Sequence, residues 1–355
     1  MSPYKPPLEG RNSEHYTLLD FNERTIPISV AITDALKRYI DSGHLQQYPS
    51  YGDIVERLAD YTGVNSNQLM ITNGSDQGID LVFRALSAAG EEGEAQKEKD
   101  KPTAREAIIP GPSFAMYTQC AKVEALALIE PQYTAEGGYP VDKVLGAIND
   151  NTHIIVIANP NNPCGTMVER DVIAKIANAA PHAAILVDEC YYEYSQQTIV
   201  PVIDKLPNVF VTRTFSKTWG LPSLRFGYLI AAPDYINALC NVRGPYDINQ
   251  LAIVAAKAAL ANPKDSLRYV EEVMDEAKPI LEQWLQQQGI HFWHSSANYL
   301  WAFPDKPEWV DQSLRQAGFL VRPKAYKGQL GLRITIGTVD QITRLIDHWQ
   351  ALLGR

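Results

Sequence analysis

Short apolar runs alternate with segments of helical spacing in the middle of this chain. The runs at 107–109, 153–158 and 183–188 are apolar almost throughout, as strands are when both of their faces are buried. Residues 168–180, between two of these runs, carry apolar side chains at helical spacing. Buried strands that alternate with helices are typical of a mostly parallel sheet with helices on its faces. The central part of the chain is therefore predicted to be an α/β domain.

The pattern changes after Pro245. Long helices are predicted over 249–261 and 264–288, followed by strand-like runs at 297–303 and 331–336 and a closing helix over 340–353. This order predicts a second, smaller α+β domain. The predicted organisation is an N-terminal arm over 1–26, a large domain over 27–243 and a small domain over 244–355. The mixed-charge run at 90–102 has no apolar face, and we interpret it as a solvated loop or a fraying helix.

Composition narrows the class of protein. At 355 residues the chain is long enough for about two domains and a cleft between them. Its formal net charge is −9 and its lysines and arginines are scattered, so no nucleic-acid partner is expected. No apolar run approaches the ~20 residues that a membrane-spanning helix needs. The four cysteines are far apart, with no secretory signal before them, so we expect free thiols, no metal site and a cytoplasmic protein.

Polar residues follow several of the predicted strands, at the sheet edge where α/β proteins bind ligands. The turn Asn73-Gly74-Ser75 joins a predicted strand to a predicted helix. The first N–H groups of such a helix, and its dipole, favour an anion such as phosphate. The alternative is that Ser75 or Asp76 only caps the helix.

Two further strand ends carry side chains that need partners. The segment ANPNNPCGT at 158–166 holds Asn161 and Asn162 in a proline-rich turn, which is alternatively an ordinary connection. Asp188 ends an all-apolar strand, where an unpaired buried carboxylate is costly and is expected to meet a cation. A structural salt bridge would also satisfy this requirement.

The segment RTFSKTWGLPSLRFG, residues 213–227, contains an isolated lysine. Lys217 stands between Ser216 and Thr218, eight residues before Arg225. A lysine, a strand-end aspartate, a rigid asparagine and a phosphate cradle are together the parts needed to hold pyridoxal phosphate. The lysine would bind the cofactor covalently, and the aspartate would pair with its pyridinium nitrogen.

These motifs, in this order, resemble the fold-type I aminotransferases and among them the histidinol-phosphate aminotransferases. The resemblance covers nearly the whole chain and rests on the segments LDFNE, QYPSYG, NGSDQGID, PGPSFAMY, NPNNPCGT, VDECYYEY, TFSKTWGLPSLRFGY, RGPYDIN, SSANYL and LRITIG. It implies a large domain with a mostly parallel seven-stranded sheet, a smaller α+β domain, pyridoxal phosphate as cofactor and a homodimer with shared active sites.

The resemblance also implies roles for individual residues around the cofactor. Lys217 binds the cofactor covalently and Asp188 pairs with its ring nitrogen. Asn162 and Tyr191 contact the ring hydroxyl, and Phe114 stacks on the ring. Lys217, Asp188 and Tyr191 form the catalytic set. The cofactor phosphate is assigned to Ser75, the Asp76 amide, Thr214, Ser216 and Arg225, and to Tyr48 reaching across from the neighbouring subunit.

The substrates are implied in the same way. Arg333 matches the arginine that grips a substrate carboxylate, and Arg322 matches the position that binds a substrate phosphate. Asn22, in LDFNE, is assigned to substrate binding. Lys217 is expected to be the base that moves the α-proton of the amino donor, and 2-oxoglutarate is expected to accept the amino group.

Three alternatives remain open from the sequence. An aminotransferase for aromatic or other amino acids would keep every cofactor residue. A phosphothreonine-type decarboxylase would keep both late arginines but release carbon dioxide. The sensing half of a transcription regulator would need a DNA-binding module before LDFNE, for which the sequence leaves no room. The sequence departs from the family pattern at Cys164, at Trp219 and in the additional charged run at 90–102, and Trp219 is at a position where it could reshape the cleft.

Overall fold

The structure is a computed structural model that describes residues 8–88 and 105–354. The predicted charged run at 90–102 lies outside these residues. The strands are β1 (Thr17–Leu18), β2 (Leu69–Asn73), β3 (Glu106–Ile108), β4 (Ala127–Ile129), β5 (Thr152–Ala158), β6 (Ala184–Asp188), β7 (Val209–Thr214), β8 (Phe226–Ile230), β9 (His291–Trp293), β10 (Tyr299–Phe303), β11 (Phe319–Leu320), β12 (Arg322–Tyr326) and β13 (Gln329–Thr335).

Helices surround and connect these strands. The α-helices are Val30–Asp41, Ile54–Thr62, Gly74–Ala88, Ala115–Val123, Val141–Ala147, Arg170–Ala179, Tyr192–Ser195, Pro233–Val242, Gln250–Ala261, Lys264–Glu271, Lys278–Gln287, Pro307–Gln316 and Val339–Leu353. The segment Glu272–Ala277 is π-helical and joins two of them, so the helix predicted over 264–288 is nearly continuous. Within the described ranges, no helix combines the length and the apolar character needed to cross a membrane.

A seven-stranded sheet forms the centre of the large domain, in the order β2-β8-β7-β6-β5-β3-β4. The strand β8 is antiparallel to both of its neighbours, and the other pairs are parallel. The predicted mostly parallel seven-stranded sheet is therefore confirmed. Because parallel strands end at one edge, residues that follow β5, β6 and β7 are brought together there.

The central strands are mostly apolar because they are buried on both faces. On β5, Ile155 and Ile157 enter one hydrophobic core, whereas Ile154 and Val156 enter another on the opposite face. Successive side chains of a strand point to opposite faces, so only a strand covered twice needs an unbroken apolar run.

The small domain has its own sheet and its own core. Its strands lie in the order β12-β13-β10-β9, all antiparallel. The N-terminal segment belongs to this domain, because β1 pairs with β11 and Leu19 is buried in the same core. This attachment carries residues 20–23 across to the cleft between the domains.

The change from one core to the next does not coincide with the predicted domain boundary at 243/244. The helix Gln250–Ala261 packs against Val30–Asp41 and buries Ile253 and Ala256 in the core of the large domain. Tyr269, in the next helix, already belongs to the second core. We therefore propose that the small domain begins after Ala261 and also includes β1.

Candidate active site

A cavity of about 510 Å³ lies where β5, β6 and β7 end and where β12 and β13 of the small domain approach them. It brings together all of the predicted site residues except Asn22 and Tyr48. The predicted residues that line it are Ser75, Asp76, Phe114, Asn162, Asp188, Tyr191, Thr214, Ser216, Lys217, Arg225, Arg322 and Arg333.

Lys217 follows β7 and lines the cavity. Its Nζ donates a hydrogen bond to the carbonyl oxygen of Phe21 at 3.0 Å. Within the described residues, Lys217 has no carboxylate at ion-pair distance. Burial lowers the pKa of Lys217, and the positive charge of Arg333 lowers this pKa further. An amine with a lowered pKa is suited to nucleophilic and proton-transfer chemistry near neutral pH.

Asp188 ends β6 and is buried in the cavity wall. The hydroxyl of Tyr117 donates to one of its carboxylate oxygens, and the hydroxyl of Thr212 donates to the other at 3.0 Å. Burial raises the pKa of Asp188, while these hydrogen bonds act in the opposite direction. In the described chain no Lys or Arg forms an ion pair with this carboxylate, so the salt-bridge alternative is not observed. The arrangement suits a ligand that brings its own cation.

Three residues of this region were missed by the sequence analysis. Tyr117 and Thr212 hold Asp188, and the thiol of Cys190 donates to the hydroxyl of Ser75 at 3.1 Å. Tyr117 lies one helical turn after Phe114, and its ring meets that of Phe114 edge to face at 5.8 Å between centroids. The sequence could have indicated Tyr117 through its spacing from Phe114, because residues three apart share a helix face.

Hydroxyl groups and a guanidinium form a cradle for an anion. Ser75 and Asp76 lie in the first turn of the helix Gly74–Ala88. Nη2 of Arg225 donates to Oδ2 of Asp76 at 2.9 Å. Nη1 of Arg225 donates to the hydroxyl of Ser216 at 3.4 Å, which also accepts from the hydroxyl of Thr214 at 3.0 Å. The helix dipole and the guanidinium both favour a negatively charged group here.

Two glycines allow this cradle to form. Gly74 has a φ of +72°, and a Cβ built there would lie 2.4 Å from Nη2 of Arg225. A Cβ at Gly227 would lie 2.7 Å from the backbone nitrogen of Ser75. Larger residues would push the strand, the helix start and Arg225 apart, which explains the glycines.

Arg333 lies at the other end of the cavity, on β13. Its Nη1 donates to Oδ1 of Asn162 at 2.5 Å, and its Nη2 donates to the carbonyl oxygen of Asp20 at 2.5 Å. Its Nε is buried without a hydrogen-bond partner in the described structure. Arg322 pairs directly with Arg333 across the two strands, and its guanidinium lies 5.3 Å from the ring centroid of Phe21. Two guanidinium groups therefore face one part of the cavity.

Asn22 lies behind the cavity wall rather than in it. Its Nδ2 donates to the hydroxyl of Tyr191 at 2.9 Å, and its Oδ1 accepts from the hydroxyl of Thr335 at 3.3 Å. Asn22 has a φ of +56°, a left-handed conformation that asparagine tolerates better than most residues. This position suits the orientation of Tyr191.

Tyr48 does not line the cavity of its own chain. Its side chain is 79 % exposed and stacks on Tyr246, with 4.5 Å between ring centroids. Trp219 and Cys164 are also outside the cavity lining. Trp219 is buried against Phe215, at 5.0 Å between centroids, so its side chain does not border the cavity directly.

Comparison with known proteins agrees with this geometry. The family model for aminotransferase class I and II matches residues 15–348. A histidinol-phosphate aminotransferase from Gloeobacter violaceus is 31 % identical over 99 % of this chain and 98 % of its own length. Another, from a Geobacillus species, is 30 % identical over 99 % of this chain and 96 % of its own.

A solved structure shows the same fold. The histidinol-phosphate aminotransferase from Sinorhizobium meliloti, in complex with pyridoxal 5'-phosphate, superposes with a TM-score of 0.79. It is 19 % identical, and the match covers 95 % of this chain and 91 % of that chain. The chain described above belongs to the class I and II aminotransferases, and its cofactor is pyridoxal phosphate.

Proposed function

We propose that this aminotransferase transfers the amino group of histidinol phosphate to 2-oxoglutarate and yields imidazole acetol phosphate and glutamate. The observation that carries the proposal is the pair Arg322 and Arg333, which face the cavity from adjacent strands. Neither guanidinium has a carboxylate partner among the described residues. A guanidinium suits a phosphate or carboxylate in a bidentate geometry. The curated relatives with about 30 % identity support the same substrate.

The residues of the cavity fit pyridoxal phosphate. The anion cradle, with Arg225, would hold its phosphate, and Lys217 would bind it covalently. Asp188, a buried carboxylate without a cationic partner in the described chain, would pair with the protonated ring nitrogen. Asn162 and Tyr191 would contact the ring hydroxyl, and Phe114 would cover one face of the ring.

The chemistry follows from these positions. The bound cofactor supplies an electron sink for the negative charge that remains when the donor loses its α-proton. Nζ of Lys217 would take that proton, and burial, which lowers the pKa of this amine, favours its uncharged form. Asp188 would keep the proton on the ring nitrogen, and Tyr117 and Thr212 hold its carboxylate in place. Asn22 fixes the hydroxyl of Tyr191.

Removal of Arg322 tests the substrate. We expect Arg322→Ala to lower kcat/KM for histidinol phosphate. The loss of one charge-assisted contact should weaken binding of the transition state by about 2–5 kcal/mol. The loss for an amino donor without a distal anion, such as histidinol or phenylalanine, should be much smaller. Steady-state assays of glutamate formation measure both values. Arg315→Ala, at an exposed position, is the matched control.

Two results would count against this assignment. Equal losses for both donors would remove Arg322 from anion recognition. A wild-type protein that is inactive with histidinol phosphate but active with aromatic amino acids would favour the broader aminotransferase. Release of carbon dioxide from phosphothreonine would instead favour the decarboxylase.

The proposal includes a homodimer with shared active sites. Tyr48 and Tyr246 form an aromatic pair that is 79 % and 58 % exposed in the single chain. Tyr48 lies beside Pro49 in a connection between helices, so its position is restricted. This exposed ring would bring its hydroxyl to the cofactor phosphate of the neighbouring subunit. Loss of that hydroxyl in Tyr48→Phe should cost roughly 1.5–3 kcal/mol of cofactor binding.

Mixed dimers test the shared site. Tyr48→Ala and Lys217→Ala subunits, each inactive alone, are mixed so that they form mixed dimers. Activity should then return, because one active site of each mixed dimer contains both substitutions and the other contains neither. The mixed dimer should reach up to about half of the activity of a wild-type dimer. A monomer by sedimentation at assay concentration, or no recovery after proven subunit exchange with an inactive Tyr48→Ala parent, would contradict the shared site.

We also propose that the enzyme works in the cytoplasm. All four cysteines are free, three of them buried and Cys240 exposed. Unpaired thiols are typical of a reducing compartment. Cell fractionation with an antibody against the enzyme would test this location.

A further inference from the structure

A third cation lines the cavity beside the two arginines. Lys324 lies two residues after Arg322 on β12, so both side chains are on one face of this strand. Across the pair of strands, Arg322 lies opposite Arg333 and Lys324 lies opposite Gly331. All three cations line the cavity. The roles proposed above leave Lys324 without a function.

The strand that carries Lys324 is anchored to the large domain. The hydroxyl of Tyr326, on the same strand, donates to the carbonyl oxygen of Tyr133 at 3.1 Å. The ring of Tyr326 also packs edge to face on Trp293, with 5.6 Å between centroids. Lys324 is therefore held over the cleft by a fixed strand rather than by a free loop.

The surroundings of Lys324 are strongly positive. In the described residues no carboxylate lies at ion-pair distance from its Nζ. Asp20 and Glu23, in the N-terminal segment, are both paired with Arg11, at 2.9 and 2.5 Å.

The helix Pro307–Gln316, which packs against β12, carries the charged residues Glu308, Asp311 and Arg315. The charge of Arg315 acts on Asp311. The charges that act on Lys324 are those of Arg333 and Arg322. Three neighbouring cations repel one another, so this part of the cavity favours a ligand with more than one negative charge.

We propose that Lys324 is a further specificity-determining residue, which binds with Arg322 the distal phosphate dianion of the amino donor. This inference rests on the proposed function and specifies the charge state that the site selects. A carboxylate offers one charge, whereas a phosphate monoester above its second pKa of about 6 offers nearly two. Lys324 adds the second cation that distinguishes them.

The proposal implies a dependence on pH. Burial lowers the pKa of Lys324 to about 8, and the charges of Arg333 and Arg322 contribute to this change. The ammonium form is complete well below this value and disappears as the pH rises through it. The phosphate is a dianion above about pH 6. Preference for the phosphorylated donor should therefore be strongest between these two values and decline above pH 8.

Single-turnover reactions of the holoenzyme with histidinol phosphate and with histidinol, at pH 7 and pH 9, test the proposal. At pH 7, Lys324→Met should lower the apparent second-order rate constant for histidinol phosphate about 10- to 100-fold, as expected for a lost charged hydrogen bond. The rate constant for histidinol should change much less. Lys324→Arg should restore the rate at pH 7 and retain it at pH 9, where wild type declines, because a guanidinium stays charged.

Two controls make the outcome decisive. Lys327→Met removes the same charge from the exposed turn of the same hairpin and should leave both rates and the pH profile as in wild type. Inorganic phosphate should inhibit the half-reaction with glutamate competitively in wild type and more weakly in Lys324→Met.

Equal losses for both donors, or no rescue by Lys324→Arg, would overturn the proposal. If wild type does not react with histidinol phosphate, the proposed function fails. In that case, inhibition by inorganic phosphate still tests whether Lys324 binds an anion. Equal inhibition of wild type and Lys324→Met would overturn this role.

Discussion

Lys217→Ala is expected to fold, to retain part of its cofactor and to transaminate at least about 10⁴-fold more slowly than wild type. The substitution removes both the covalent attachment and the base for the α-proton, and proton transfer by a positioned base alone contributes about 10²- to 10⁴-fold. The fold should survive because the side chain of Lys217 makes only one hydrogen bond, to Phe21, and no ion pair within the described residues.

Turnover of histidinol phosphate and the visible absorbance of the bound cofactor measure this effect. Lys205→Ala, at an exposed position of the same domain, should leave both unchanged. A Lys217→Ala enzyme with turnover near that of wild type would show that another group carries the reaction.

Asp188→Asn is the substitution with the second largest expected effect. It keeps the shape of the side chain and removes the charge that would hold the proton on the ring nitrogen. Loss of one partner from a buried charged pair costs about 3–5 kcal/mol, so kcat should fall roughly 10²- to 10³-fold or more. Asp150→Asn, at an exposed position, is the matched control. A fall of less than about tenfold would contradict the assigned role of Asp188, since each 1.36 kcal/mol corresponds to a factor of ten.

The same substitution should affect the cofactor-free protein differently. Burial raises the pKa of Asp188 above its usual value, so the folded chain holds this proton more tightly than the unfolded chain. The stability that this group contributes is present below the usual pKa of a carboxyl and is lost as the pH rises through the raised value. At neutral pH, Asp188→Asn without cofactor should therefore be no less stable than wild type in urea. A large loss of stability would assign Asp188 a structural role.

The sequence predicted the large sheet because its central strands are covered on both faces. The run at 153–158 corresponds to Thr152–Ala158, and the run at 183–188 to Ala184–Asp188. The strand β12 was missed because it contains Pro323, which the interior of a sheet excludes, and because two basic residues interrupt its apolar pattern. The boundary that we propose after Ala261 differs from the predicted one at 243/244 because the helix Gln250–Ala261 is apolar around most of its surface, and its sequence does not indicate which core it joins.

The site was predictable where its residues follow strands. Asp188 is the last residue of one buried strand and Lys217 closely follows the next, so their convergence at one edge follows from the parallel sheet. Tyr117 and Lys324 were missed because their approach depends on the packing of a helix and of a second domain, which no local pattern encodes. The roles of Tyr48 and Asn22 remain predictions from the family resemblance.

Reductive trapping of the cofactor tests the central claim most directly. Purified holoenzyme is treated with borohydride, digested and mapped by mass spectrometry, with and without prior addition of histidinol phosphate. The account predicts one phosphopyridoxyl group per chain, on Lys217, and loss of this label when the donor amine has first taken the place of the lysine. A label on Lys324, the other lysine in the described lining of the cavity, or a label that the donor does not remove, would contradict it.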